Sequence, residues 1–256
     1  MRGDLAVPIP LLLGFLLTLV RVSGVFVFVP IPGVSSALSP ARVILSVGIT
    51  FALFSHWPIV TGTPSVESFV MWILLEAALG VGTGLAVAFV MEAFGVGAQI
   101  LGLQAGYAFA AMVDPNTQAD SSVLVVLSQV AAGLLFFAMG LDHEVIRILA
   151  RSLETHPAGS FSLSRGAAEQ MLMIGSTMFT TGLRLAMPMV AIFVMLDISL
   201  ALLGRVNTQL QLLHLSFPIK MIVALGLLGS LTFMFPALFR LSAGVTFRAA
   251  RALIAH

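Results

Sequence analysis

The stretch Ser121–Leu141, SSVLVVLSQVAAGLLFFAMGL, runs for 21 residues without a charged side chain. A helix rises about 1.5 Å per residue and needs about 20 apolar residues to cross a hydrocarbon core. The stretch therefore reads as a helix that is buried in protein or lipid, and it has company. Uncharged runs recur at Val22–Ala41, Val43–Val66, Ala93–Val113 and Met221–Phe239, with shorter ones at Ala77–Met91 and Leu185–Leu196. The expected architecture is all-α: a hydrophobic, membrane-associated, multi-helix protein with about six apolar segments at 9–29, 42–60, 67–94, 122–141, 170–203 and 217–240.

Composition supports this. The 256 residues are 59% hydrophobic and 9% charged, against about 25% charged in soluble domains. So few charges cannot cover a water-facing surface, and the solvent must be partly lipid or partner protein. The 23 glycines and 13 methionines suit helices that approach closely and fill irregular gaps. A net charge of +1 offers no basic field for nucleic acid. The absence of cysteine removes disulfides, thiolate catalysis and cysteine metal sites.

Breakers separate the segments: Pro30, Pro32, Gly33 and Pro40 at a first connection, Pro58, Gly62 and Pro64 at a second, and Asp114-Pro115-Asn116 at a third. Segment 67–94 continues into apolar 95–113, so part of it reads as a second helix or a re-entrant piece. Segment 170–203 is too long for one straight crossing, and Pro188 reads as a kink because it lacks a backbone donor and crowds the preceding turn. Asp142–Glu169 reads as the polar loop, with nine charged residues or histidines. Arg2 before the apolar run Val7–Val20 has the shape of a signal peptide, but no small-x-small cleavage site follows, so the first helix is expected to stay. With six crossings, Arg2, Arg147, Arg151, Arg165, Arg240, Arg248 and Arg251 share one side against Arg42 and Arg205 on the other. The positive-inside rule then puts both termini in the cytoplasm.

Ionisable residues inside apolar segments are costly. Here they are Arg21, Glu76, Glu92, Arg184, Asp197 and Lys220. They read either as an ion path, with Glu76 or Asp197 beside Arg21 or Arg184, or as pairs that fix helix and subunit packing. Glu76 and Glu92 lie sixteen residues apart, on different faces and depths of a helix, which favours packing. Asp142-His143-Glu144 lacks the spacing of three or four that places ligands together, so it reads as a solvated run, not a metal site. No phosphate-binding Gly-Lys-Ser/Thr run, G-x-S-x-G elbow or H-E-x-x-H pair occurs, and no enzyme or cofactor is expected.

Two stretches carry more information. Gly102-Leu103-Gln104-Ala105-Gly106-Tyr107-Ala108-Phe109-Ala110-Ala111-Met112-Val113-Asp114-Pro115 combines small residues with an apolar cluster and ends at an Asp-Pro break. It reads as an ordinary helix end or as a plug, since non-helical backbone at membrane depth survives only where it is buried or lines a cavity. Arg205-Val206-Asn207-Thr208-Gln209-Leu210-Gln211-Leu212-Leu213-His214-Leu215-Ser216-Phe217-Pro218-Ile219-Lys220 is a polar, amide-rich turn between apolar helices.

These stretches resemble the FliR family. Gly102-Leu103-Gln104-x-Gly106, Phe109-Ala110 and Val113-Asp114-Pro115 look like its central signature. Asn207-x-Gln209-Leu210 leading to Phe217-Pro218-x-Lys220 resembles its second, which is itself similar to the hairpin loop of the partner FliQ. Thr208 stands where the family often has proline. Arg21 with Pro30, Pro40 and Arg42 fits the pattern, as does Gly182-Leu183 with Leu185-Ala186 and Pro188. The match covers roughly residues 15–240, and the Val-Asp-Pro form is closer to the flagellar branch than to the injectisome branch.

The resemblance implies one export-gate domain of long bent helical hairpins, with a FliP-like part over about 1–165 and a FliQ-like part over about 166–256. It implies a core subunit of a flagellar type III export gate in the bacterial inner membrane and basal body. The implied partners are FliP-like, FliQ-like and FlhB-like subunits, membrane lipid, and unfolded flagellar proteins passing through the channel. Gly106, Phe109, Met112, Val113, Asp114, Pro115 and Asn116 would belong to the plug of the closed pore. Asn207, Gln209, Gln211, Phe217 and Pro218 would form a loop at the cytoplasmic entrance, against the charge count above. Other classes are a secondary transporter of a small solute or ion, which should show matched broken helices with polar groups at mid-depth, and a membrane enzyme, for which no nucleophile and base are apparent.

Overall fold

The computed structural model describes residues 8–30, 40–60, 64–106, 123–157, 165–206, 212–231 and 235–255. Among these residues the regular structure is entirely helical. Helix α1 spans Ile9–Phe28, α2 Pro40–Ala52, a 3₁₀ turn Phe54–His56, α3 Val66–Ala105, α4 Val123–Ala138, α5 Leu141–Thr155, α6 Arg165–Val206, α7 Leu212–Leu231 and α8 Phe235–Ala255.

The expected segments are redrawn in four places. Helix α3 does not stop near residue 94; it runs unbroken for 40 residues, about 60 Å. It ends where Gly106 takes a φ of 84° and donates its N–H to Leu103 O at 3.2 Å, the left-handed stop that glycine tolerates. Helix α2 has only 13 residues, about 20 Å, short of a crossing. The segment 217–240 divides into α7 and α8, with Pro236 in the first turn of α8 where a missing N–H does no harm. Helix α6 continues through Pro188 for 42 residues in all.

Within the polar region, Leu141–Thr155 is a helix and not a loop. Gly140, at φ 67°, breaks the chain after α4, and α5 follows with Asp142 and Glu144 in its first turn, the end where acidic groups suit the helix dipole. Val145, Ile148, Leu149, Ser152 and Leu153 form its buried stripe, at helical spacing. Counting charges concealed this face. Among the described residues three helices, Ile9–Phe28, Val66–Ala105 and Glu169–Arg205, are long and apolar enough to cross a membrane, or up to four spans if α4 and α5 make one broken crossing. Six crossings are therefore not what these helices provide, and the charge count built on six loses its basis. Hydropathy marks faces that need covering, and several such faces are too short to span.

The helices distribute into two units. The first contains Met1–Ala88, Phe136–Gly175 and Gly244–His256. Its centre is a glycine seam between α1 and α3. A Cβ on Gly24 would lie 2.9 Å from Val81 N and one on Gly84 2.7 Å from Val25 O, while one on Gly80 would strike the Arg21 carbonyl. Only glycine lets the backbones meet there. The contacts advance in step along both helices, so the pair runs parallel. Helix α2 returns along α1, held by Arg42, whose Nη1 donates to Phe26 O, to Val27 O at 2.8 Å and to Val29 O at 2.9 Å. These are carbonyls that the end of α1 leaves without helical partners. Val29 itself is extended, as a residue before proline prefers.

The second unit contains Phe89–Leu135 and Ser176–Ala243. Phe94, Phe193 and Phe239 are fully buried, and the Phe94 and Phe239 rings lie 5.2 Å apart. Gly182 of α6 rests under α3, where a Cβ would come within 2.8 Å of Ala93 O. Ser128 of α4 donates its hydroxyl to Phe94 O at 3.0 Å.

Candidate functional site

Of the six intramembrane ionisable residues, Arg21 and Glu76 meet in the first unit at 0% and 1% exposure. Arg21 Nε donates to Glu76 Oε2 at 2.5 Å and Nη2 to Glu76 Oε1 at 2.9 Å, a bidentate fork matched to the carboxylate plane. Nη2 also donates to His156 O at 2.9 Å, and Nη1 to Ser152 O at 2.6 Å and Ser152 Oγ at 3.2 Å. Five N–H groups find five acceptors, which is all a guanidinium can make. The Ser152 and His156 carbonyls lie at the C-terminal end of α5, where the helix dipole favours a cation. One arginine thus joins α1, α3 and α5. Glu76 is occupied on both oxygens, which suits a structural clasp and not a relay.

Asp197 stands with neither Arg21 nor Arg184. It pairs with Lys220 of α7, Oδ1 to Nζ at 2.5 Å, with 47% and 17% exposure. Glu92 of α3 and Arg184 of α6 both lie exposed in the second unit. Among the described residues no group of three or more histidines or acidic residues could hold a metal. His143 pairs with Asp142 at 3.0 Å on the exposed first turn of α5. An apolar crevice of about 210 Å³ lies in the first unit between Thr83, Val87, Val145, Ile148 and Phe247. It encloses no room for even a water-sized ligand.

Gly106 closes α3, while Phe109, Met112, Val113, Asp114, Pro115 and Asn116 lie outside the described residues. Asn207, Gln209 and Gln211 also lie outside them, and Phe217 and Pro218 sit within α7 instead of in a turn. Sequence reasoning missed the α5 carbonyls as partners of Arg21, and Arg42 as the clamp on the end of α1. The first had a signal in the helical spacing of the apolar residues of α5.

The family model described as bacterial export proteins, family 1, matches residues 12–244. The chain belongs to that family. Among its relatives is the flagellar biosynthetic protein FliR of Escherichia coli strain K12, 29% identical over 83% of this chain and 82% of the relative. The protein of the same name from Pectobacterium carotovorum is 30% identical over 75% and 74%, and that from Aquifex aeolicus 26% over 84% of each. As a bacterial export protein of FliR type, the chain has its candidate machinery in helix packing and in the buried Arg21–Glu76 pair.

Proposed function

We propose that this chain is a core subunit of the flagellar type III export gate in the bacterial inner membrane. In this reading it forms part of the protein-conducting channel with FliP-like and FliQ-like subunits, and a FlhB-like subunit binds near the entrance. Unfolded flagellar proteins are the cargo, and no cofactor is required. The observation that carries the reading is α6. Its 42 residues extend about 63 Å, twice the roughly 30 Å of a hydrocarbon core. Only 22% of its apolar window is buried within the chain. A bilayer covers only part of a helix this long, and Arg184 and Asp197 interrupt its exposed face, which supports sister subunits as part of its covering. The exposed charges of Glu92 and Arg184 fit the same reading, because a protein interface can supply counter-charges that lipid cannot.

The test is co-expression and co-purification. The chain alone should aggregate, and FliP-like and FliQ-like subunits should rescue it as a stable complex. A well-behaved monomer that carries solute into liposomes would instead establish a secondary transporter. Residues 106–116 act in this reading as the plug of the closed pore. Deleting 110–118 should leave the complex intact and make the membrane leaky to ions, and unchanged permeability would refute the plug.

A further inference from the structure

We infer that the end of α3, with Gln129 of α4, is a surface that the exported polypeptide touches in transit: a wet, amide-bearing wall of the channel. From Val70 to Met91 every exposed position of α3 is apolar. Beyond Met91 the exposed positions are Glu92, Gln99, Leu103 and Gln104, so the surface turns polar there. Glu92 and Gln99 stand seven residues apart, two turns, and so share one face, which Leu103 continues four residues on. Gln129 joins them from α4. Gly95 is buried between, and a Cβ there would lie 3.3 Å from Glu92 Oε2 and 3.8 Å from Gln129 Nε2. The carboxylate and the amide therefore sit together over that glycine.

Two classes of occupant do not fit this surface. Lipid would leave a carboxylate and three amides without hydrogen-bond partners, and ionisable residues at membrane depth face protein or a water-filled cavity. Hydroxyls avoid that cost by bonding to their own helix. Thr180 and Ser199 of α6 donate to Ser176 O and Met195 O at 2.9 and 2.8 Å. A glutamine amide, with two donors and an acceptor, has no such partner one turn away. A docked subunit fits no better. Stable interfaces close on a core enriched in arginine, methionine and aromatic residues and poor in glutamate. That describes α6, where Arg184, Met187, Met195 and Ile198 share an exposed face. It does not describe the end of α3, whose one exposed apolar residue is Leu103. Protein answers the charge of Arg184, and water answers that of Glu92.

The chemistry of the cargo agrees with such a wall. An unfolded chain carries an unpaired N–H and C=O at almost every residue, and these need water or polar side chains along their path. Amides offer donor and acceptor alike, so they serve any sequence. They also hold a passing segment weakly, and transit requires binding loose enough to release. From Glu92 to Leu103 the surface measures about 17 Å along the helix, room for about five residues of extended chain. It leads to Gly106, where α3 ends and the proposed plug begins.

This rests on the channel role in the proposed function and assigns its wall. The chain has no cysteine, so Glu92→Cys, Gln99→Cys and Gln129→Cys can be probed singly, with Met187→Cys and Met195→Cys as references. Each variant is first checked for co-elution with the partner subunits and restored motility, and Gln104→Cys replaces any that fails. In the detergent-solubilised complex both mouths of the channel meet buffer. A small cationic methanethiosulfonate should there modify the wall cysteines at least about tenfold faster than the references, since the reactive species is an accessible thiolate. Benzoylphenylalanine in place of Gln99 is then illuminated in cells whose export is stalled by a flagellar substrate fused to a domain that does not unfold. The expected product is a crosslink to that substrate, absent with the same probe at Met195. Slow modification at all the wall positions would mean that protein or lipid covers them and overturns the inference. Absence of the substrate crosslink, with fast modification or slow, overturns it equally. Both outcomes leave the gate reading standing. A wild-type chain that does not co-elute with the partner subunits removes the gate reading and the inference together.

Discussion

Replacing Glu76 by glutamine tests the clasp most directly. The wild-type carboxylate accepts two charge-assisted bonds from Arg21, each worth about 1.5–3 kcal/mol. Glutamine keeps one acceptor and turns an NH₂ group toward a guanidinium N–H, so one bond is lost and two donors oppose each other. Arg21 has no exposure and cannot recruit water. Removing one partner of a buried pair costs about 3–5 kcal/mol, and Glu76→Gln should fall in that range. Arg21→Met together with Glu76→Leu removes both charges and should recover most of the loss. Recovery should be incomplete, because the Ser152 and His156 carbonyls lose a donor, at about 0.5–1.5 kcal/mol each. The assay is thermal or denaturant unfolding of the co-purified complex in detergent, followed by the loss of co-elution. A single variant within about 0.5 kcal/mol of wild type, or a double variant no better than the worse single, would refute the reasoning. Intact complexes that have lost only proton-coupled export would assign Glu76 to transport instead.

Two further outcomes follow from the backbone. Gly80→Ala drives a methyl into the Arg21 carbonyl and should destabilise by about 1–3 kcal/mol, whereas Gly48→Ala, which meets nothing within 4 Å, should be neutral or stabilising by up to about 1 kcal/mol; comparable losses would place the seam elsewhere. Gly140→Ala must hold a φ of 67° and should lose about 1–2 kcal/mol, seen as a lower unfolding midpoint, and an unchanged midpoint would mean that α4 and α5 are joined differently.

The helical class was legible because the uncharged runs of about 20 residues match the length of a helix across a hydrocarbon core and not the shorter strands of a barrel. Helix ends were legible where chemistry is local, as at Pro30 after α1. They were not where tertiary structure decides. Pro188 lies inside a helix that continues through it for 42 residues in all, so the proline marks no end of α6. The charges of α5 read as loop until the stripe Val145, Ile148, Leu149, Ser152 and Leu153 is traced. That Arg21 needs an acceptor follows from its apolar setting. That the acceptors are Glu76, Ser152 and His156 follows only from how α3 and α5 dock, at separations of 55, 131 and 135 residues. The pairing of Asp197 with Lys220 likewise depends on how α6 meets α7, which composition does not encode.

Those separations also set a timetable for biogenesis. The acceptors of Arg21 leave the ribosome in two instalments, Glu76 first and His156 eighty residues later. At about 5–20 residues per second the gap is roughly 4–16 s. Throughout it α1 and α3 can be joined while three guanidinium N–H groups still await the end of α5. The half-made chain must therefore keep that arginine where water or the insertion machinery can reach it, and the arrival of α5 is the event that seals it.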